Sequence, residues 1–136
     1  MTSPPLLRLR LWLFLLGCIG SRSLFTFLAY RASFPSLSCH WLRLFGLLAL
    51  GPVLGWLYLV FIGRRDTGLE VMGDRIWWVS LRPVHLLLWG FFAYLALGQC
   101  HPMSWIVLAV DTVFGLSAFL WHHAQEGNLA VMVGRT

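Results

Sequence analysis

The chain has 136 residues, enough for one domain, and is 59% apolar but only 11% charged. Ordinary soluble domains carry about 25% charged residues, so a soluble core is a poor fit and a polytopic membrane domain is the natural class. The net charge is +5 and every basic residue is an arginine. These arginines punctuate apolar runs and form no aromatic-interleaved patch, which argues against nucleic acid as a partner.

Charge is unevenly spread. Residues 1–65 hold seven Arg and no acid, whereas residues 66–136 hold three Arg and five acids. The tendency of basic loops to stay on the cytosolic side accounts for such a pattern. The cysteines are Cys18, Cys39 and Cys100. Their odd number and the lack of a C-x-x-C pattern indicate neither a disulfide framework nor a zinc site, so buried free thiols are the expectation.

After a short basic lead over residues 1–10, apolar residues run from Leu11 to Gly20, break at Ser21-Arg22-Ser23 and resume to Tyr30. One reading is a signal peptide with Leu11–Gly17 as its apolar region and Cys18-Ile19-Gly20 as a cleavage site. Leu15-Leu16-Gly17-Cys18 also loosely resembles a bacterial lipobox, and an acid-free leader rich in Arg fits organelle import. The reading preferred here is one membrane helix over residues 11–30, because apolar character continues past the break. Twenty residues at 1.5 Å rise cover about 30 Å, the hydrocarbon thickness.

A polar turn with Pro35 then leads into a second helix over residues 41–62, uncharged from Leu44 onward. Pro52 should kink it. Gly51 and Gly55 form a small-x-x-x-small face that suits close helix packing, within the chain in the first instance and between copies in the second.

Residues 63–82 make the one substantial polar connection, an inner loop. Gly63 to His85 holds three of the five acids and four of the ten arginines. Gly68 and Gly73 permit positive φ, and Asp66 or Thr67 could cap a short helix. The mixture reads as surface ion pairs or as a recognition loop. Trp77 and Trp78 suit a headgroup belt.

A short third helix spans residues 83–98, opened by Pro83. After the turn Gln99-Cys100-His101-Pro102, a fourth spans residues 103–123, interrupted only by Asp111. The tail from Gln125 lies on the surface or is disordered. Four spans place both termini and the inner loop on one side, with Arg8, Arg10, Arg64, Arg65, Arg75, Arg82 and Arg135. Arg31 and Arg43 fall on the other. This orients both termini toward the cytosolic-equivalent side. Cleavage of the first segment would leave three spans and an outer N-terminus.

Two polar constellations follow. Arg22 and Asp111 are each the lone ionisable residue deep in a span. Each lies eleven residues from the inner face, about 16–17 Å at 1.5 Å rise. A charge at mid-depth costs about 2.5–3.5 kcal/mol or more, so the two are expected to pair, which makes the first and fourth helices neighbours. The bland alternative is that Arg22 snorkels while Asp111 is protonated or bonds Thr112 or Ser117. The second constellation is an inner-face cluster of Arg82, His85, His122 and His123 with Asp66, Glu70, Asp74 and Glu126. Three imidazoles with carboxylates suit zinc, iron or haem, but no spacing typical of a metal site occurs. An interfacial polar rim is the bland alternative.

Arg65-Asp66-Thr67-Gly68, Ile76-Trp77-Trp78, Leu81-Arg82-Pro83-Val84-His85, Phe92-Ala93-Tyr94, Asp111 and His122-His123 resemble a family of small multi-pass membrane proteins associated with large DNA viruses and marine algae. The resemblance covers residues 63–123, leaves the first helices unmatched and implies no activity.

The expected fold is all-α, a four-helix membrane bundle forming a single domain over residues 1–136. No nucleophile elbow or phosphate-binding loop occurs. The chain therefore reads as a non-enzymatic small subunit or accessory component of a membrane complex, with the lipid bilayer and other subunits, or a second copy through Gly51 and Gly55, as partners. The alternatives are a small transporter with a polar path through Arg22 and Asp111, and a metal or haem protein using His85, His122 and His123. No cofactor can be named.

Overall fold

The computed structural model describes residues 3–67 and 75–135. Among them the chain is all-helical, save for one isolated antiparallel bridge between Thr67 and Arg75. Four helices are long and apolar enough to cross a membrane: α1 (Pro4–Ser33), α2 (Cys39–Phe61), α3 (Val79–Gln99) and α4 (Trp105–Gln125). A one-turn helix α5 (Leu129–Met132) follows. Glu70 and Asp74 lie outside the described residues.

α1 is longer than expected. It begins at Pro4, a favoured first-turn residue, and runs unbroken through Ser21-Arg22-Ser23. The hydroxyls explain this continuity. Ser21 Oγ donates to the Cys18 carbonyl at 3.1 Å, Ser23 Oγ to Ile19 at 2.8 Å, and Thr26 Oγ1 to Arg22 at 2.8 Å. A hydroxyl that bonds the preceding turn needs no water and can sit inside a helix. Residues Phe14–Ile19 form a π-helical turn, a local register shift just before Arg22.

α1 and α2 are joined by residues 34–38, α3 and α4 by residues 100–104, so the helices run up and down. α1 packs on α2, α2 on α3, α3 on α4, and α4 back on α1, which closes a ring. The α2–α3 contact is the most extensive, and small residues allow it. A Cβ on Gly46 would stand 2.9 Å from Ala96 Cβ and 3.0 Å from Leu97 Cγ, too close to be accommodated without a shift. Ala49, Ala93 and Ala96 are buried in the same seam, with Leu42, Trp89 and Phe92 filling the space around them.

The cysteines correct the free-thiol expectation. Cys39, which opens α2, and Cys100, which follows α3, form a disulfide with Cα atoms 5.5 Å apart. Cys100 adopts the left-handed conformation at φ 47° that ends α3. Sixty-one residues separate the two cysteines, so their proximity depends on α2 and α3 lying antiparallel, and no local spacing announces it. Cys18 remains a thiol.

Gly51 and Gly55 also differ from expectation. Both are exposed, and a Cβ on either would meet nothing within 4 Å. The small-residue face looks away from the ring, while the packing role falls to Gly46, five residues earlier and on the opposite side of the helix. The helical assignment continues through Pro52. At the other end of the bundle the tail docks: Arg8 Nε donates to the Val131 carbonyl at 2.9 Å, and Asn128 Nδ2 lies 3.2 Å from His123 Nδ1.

Candidate functional site: a buried arginine, histidine and aspartate

Asp111 sits in the middle of α4 and is fully buried. Its carboxylate is surrounded by donors from two other helices. Arg22 Nη1 of α1 donates to Oδ2 at 2.6 Å, and Trp89 Nε1 of α3 donates to the same oxygen at 2.8 Å. His85 Nδ1 of α3 lies 2.5 Å from Oδ1. Both carboxylate oxygens are thus engaged, which meets the requirement that a buried charge be paired and hydrogen-bonded.

His85 Nδ1 also lies 2.9 Å from Arg22 Nη1, and one ring nitrogen cannot donate to Asp111 and accept from Arg22 at once. A carboxylate only accepts, so Nδ1 carries its hydrogen toward Asp111. Arg22 directs its N–H to Oδ2, and its approach to Nδ1 follows from the shared acceptor. This tautomer is assigned from the network.

α2 contributes the wall. Trp56 stacks on His85 with ring centroids 5.7 Å apart at 30°, and the Arg22 guanidinium lies 5.4 Å from the centre of the Trp56 ring. Phe114 presents its ring edgewise to His85 at 5.8 Å. All four long helices therefore meet at this one cluster. Side-chain exposure falls from 17% at Arg22 to 5% at His85 and 0% at Asp111. The snorkelling alternative does not describe this geometry, and Thr112 Oγ1 is turned to the Leu108 carbonyl at 2.9 Å, away from Asp111.

The expected inner-face cluster divides. His85 stands one turn inside α3 and belongs with Arg22 and Asp111. His122 and His123 close α4 and belong to an aromatic group: Trp77 stacks on His122 at 4.4 Å and 8°, and Phe119 meets His123 at 4.6 Å. Gly115 of α4 lies beside His85, and eight residues of helix separate it from His123, about 12 Å at 1.5 Å rise. The three imidazoles consequently do not converge on a shared ligand. Among the described residues no group of three His, Cys, Asp or Glu side chains is placed to hold a metal ion. Arg82 is buried and donates from Nη2 to the Arg65 carbonyl at 2.8 Å, pinning the segment that follows α2 to α3. Asp66 is exposed, and its carbonyl accepts from the Ile76 N–H at 2.7 Å.

Two cavities border the guanidinium. One, of about 40 Å³, is lined by Cys18, Arg22, Trp77, Trp78, His85 and Gly115, room for water. The other, of about 310 Å³, opens between α1 and α2. Sequence reasoning missed Trp89 and Trp56 as site residues. Trp89 is four residues after His85, and that i, i+4 spacing on one helix face is the signal that could have found it. No protein-family model, no curated protein and no solved structure matches this chain.

Proposed function

We propose that the chain is a multi-pass integral membrane protein acting as a non-enzymatic small subunit or accessory component of a membrane complex. The observation that carries this reading is the outward face of α2. Gly51 and Gly55 leave room that no described residue fills, and small residues one turn apart let another helix backbone come close. Around them Leu47, Leu48, Leu54 and Tyr58 are exposed, as residues facing lipid or another helix are. Purification in mild detergent with mass spectrometry of all retained chains tests it. A larger species that dissociates on Gly51→Leu or Gly55→Leu is the expected result; a monomer in both wild type and variants overturns it.

The orientation proposed puts both termini and the arginine-rich loop on the cytosolic-equivalent side. Two independent features support it. Seven arginines belong to that end against two at the other. The disulfide ties together the two turns of the opposite end, and disulfides persist in oxidising compartments. Reporters fused at each terminus should give the same cytosolic reading, and opposite readings would remove the four-span topology.

A second reading, a small transporter with a polar path through Arg22 and Asp111, draws on the 40 Å³ cavity beside Arg22 and His85. Solute flux by the protein reconstituted alone in liposomes supports it, and tight liposomes across a broad solute panel reject it.

A further inference from the structure

A guanidinium has five N–H donors, and the cluster uses few of them. All side-chain hydrogen bonds of Arg22 to the described residues are made by Nη1, which leaves Nε and Nη2 without an acceptor among those residues. The Arg22 side chain keeps 17% exposure, so these N–H groups are not sealed in the core, and a ligand that supplies the missing acceptor in an apolar setting is favoured. The cavity of about 310 Å³ between α1 and α2 lies against this side chain, with Cys18, Ser21, Phe25, Pro52, Trp56 and Trp89 as its other walls. The volume is at the lower end of what small-molecule sites offer, and mostly apolar walls with a few polar groups are their usual make-up.

The geometry points to this cavity as a binding site for a lipophilic small molecule that presents a neutral carbonyl oxygen to Arg22, of the quinone or ketone class. The neutral acceptor is argued from charge. Asp111 already balances Arg22 at 2.6 Å, so a bound anion would leave a net negative cluster in an apolar setting, whereas a carbonyl accepts from Nε or Nη2 without adding charge. The ring is argued from the walls. Trp56 and Trp89 meet at 5.7 Å and 70°, and Phe25 lies 5.1 Å from Trp89, so flat faces and edges flank the guanidinium, as offset or edge-to-face packing of a planar ligand requires. The proposal is independent of the subunit reading; only a lateral route of entry rests on the helices crossing a bilayer.

The test uses the full chain in detergent micelles, with tryptophan fluorescence quenching and equilibrium dialysis as readouts. The probes are a fully ring-substituted decyl benzoquinone, which has no open carbon for the Cys18 thiol to add to, hexadecanoate and hexadecane. Ser21 is exposed at the cavity wall, so Ser21→Phe fills the space while leaving Arg22 and Asp111 in place, and circular dichroism checks that it folds. One saturable quinone site per chain is expected, at least tenfold weaker in Ser21→Phe and resistant to hexadecane. Absence of saturation, equal binding to folded Ser21→Phe, displacement by hexadecane, or preference for hexadecanoate over the quinone would each overturn the proposal, the last in favour of an anion site.

Discussion

Trp89 donates its indole N–H to Asp111 Oδ2 across 2.8 Å, at a carboxylate that is 0% exposed. The bond gives a large aromatic residue a polar task at the centre of the ring of helices. Trp89→Phe keeps most of the packing and removes the donor, so a cost of roughly 1–3 kcal/mol is expected for the lost bond to a charged acceptor. Unfolding by SDS titration of mixed micelles measures it. A Phe variant as stable as wild type would mean that Arg22 and His85 suffice.

Removing a partner of Asp111 is a heavier change. Arg22→Ala should destabilise by roughly 3–5 kcal/mol, because it strands a buried carboxylate; the same titration reads this. The exchange Arg22→Asp with Asp111→Arg should recover only part of the loss. Position 111 is encircled by the donors of His85 and Trp89, which welcome a carboxylate and repel a guanidinium. Full recovery in the exchanged pair would show that charge alone, without those donors, decides stability.

The disulfide predicts a simple labelling pattern. Without reductant a thiol reagent should modify Cys18 at most; after reduction and unfolding all three cysteines should react, as read by intact mass. Cys39→Ser with Cys100→Ser should cost about 2–4 kcal/mol, since the bond closes a long loop. Three labelled cysteines before reduction would disprove the link.

Three glycine positions on one helix should divide, Gly46 behaving oppositely to Gly51 and Gly55. Gly46→Leu drives a side chain into Ala96 and Leu97 and should cost roughly 1–3 kcal/mol or more from overpacking. Gly51→Ala and Gly55→Ala add a methyl to open space and should leave intrinsic stability unchanged or slightly raised, because alanine favours helix. Thermal denaturation of the three variants in the same detergent separates them. A destabilised Gly51→Ala would mean that, in that detergent, this face is already packed against the second helix proposed above.

Some of this was legible along the chain, and the division has a physical basis. Four apolar stretches were expected near residues 11–30, 41–62, 83–98 and 103–123, and four helices of that character are present. Depth is a coordinate the chain carries, since rise per residue is constant; counting eleven residues was enough to match Arg22 with Asp111. Azimuth is not carried in the same way when a helix is apolar all round. Gly51 and Gly55 therefore could not be oriented, and Gly46 was not singled out. His85 shares a bundle end with His122 and His123 in the sequence, but side chains on neighbouring helices meet by rotation as well as by level. The hydroxyl back-bonds of Ser21 and Ser23 turned an apparent break into helix, because polarity in a sequence does not show whether a group finds its partner one turn away.

The Cys39–Cys100 bond also has a bearing on chronology. Cys39 leaves the ribosome long before Cys100, and the two thiols meet only when the whole α2–α3 hairpin has been synthesised and folded back on itself. The bond is thus a record of completed pairing between the two helices with the most extensive contact. In a pulse-labelled population, the oxidised fraction at each time reports how many chains have passed that stage.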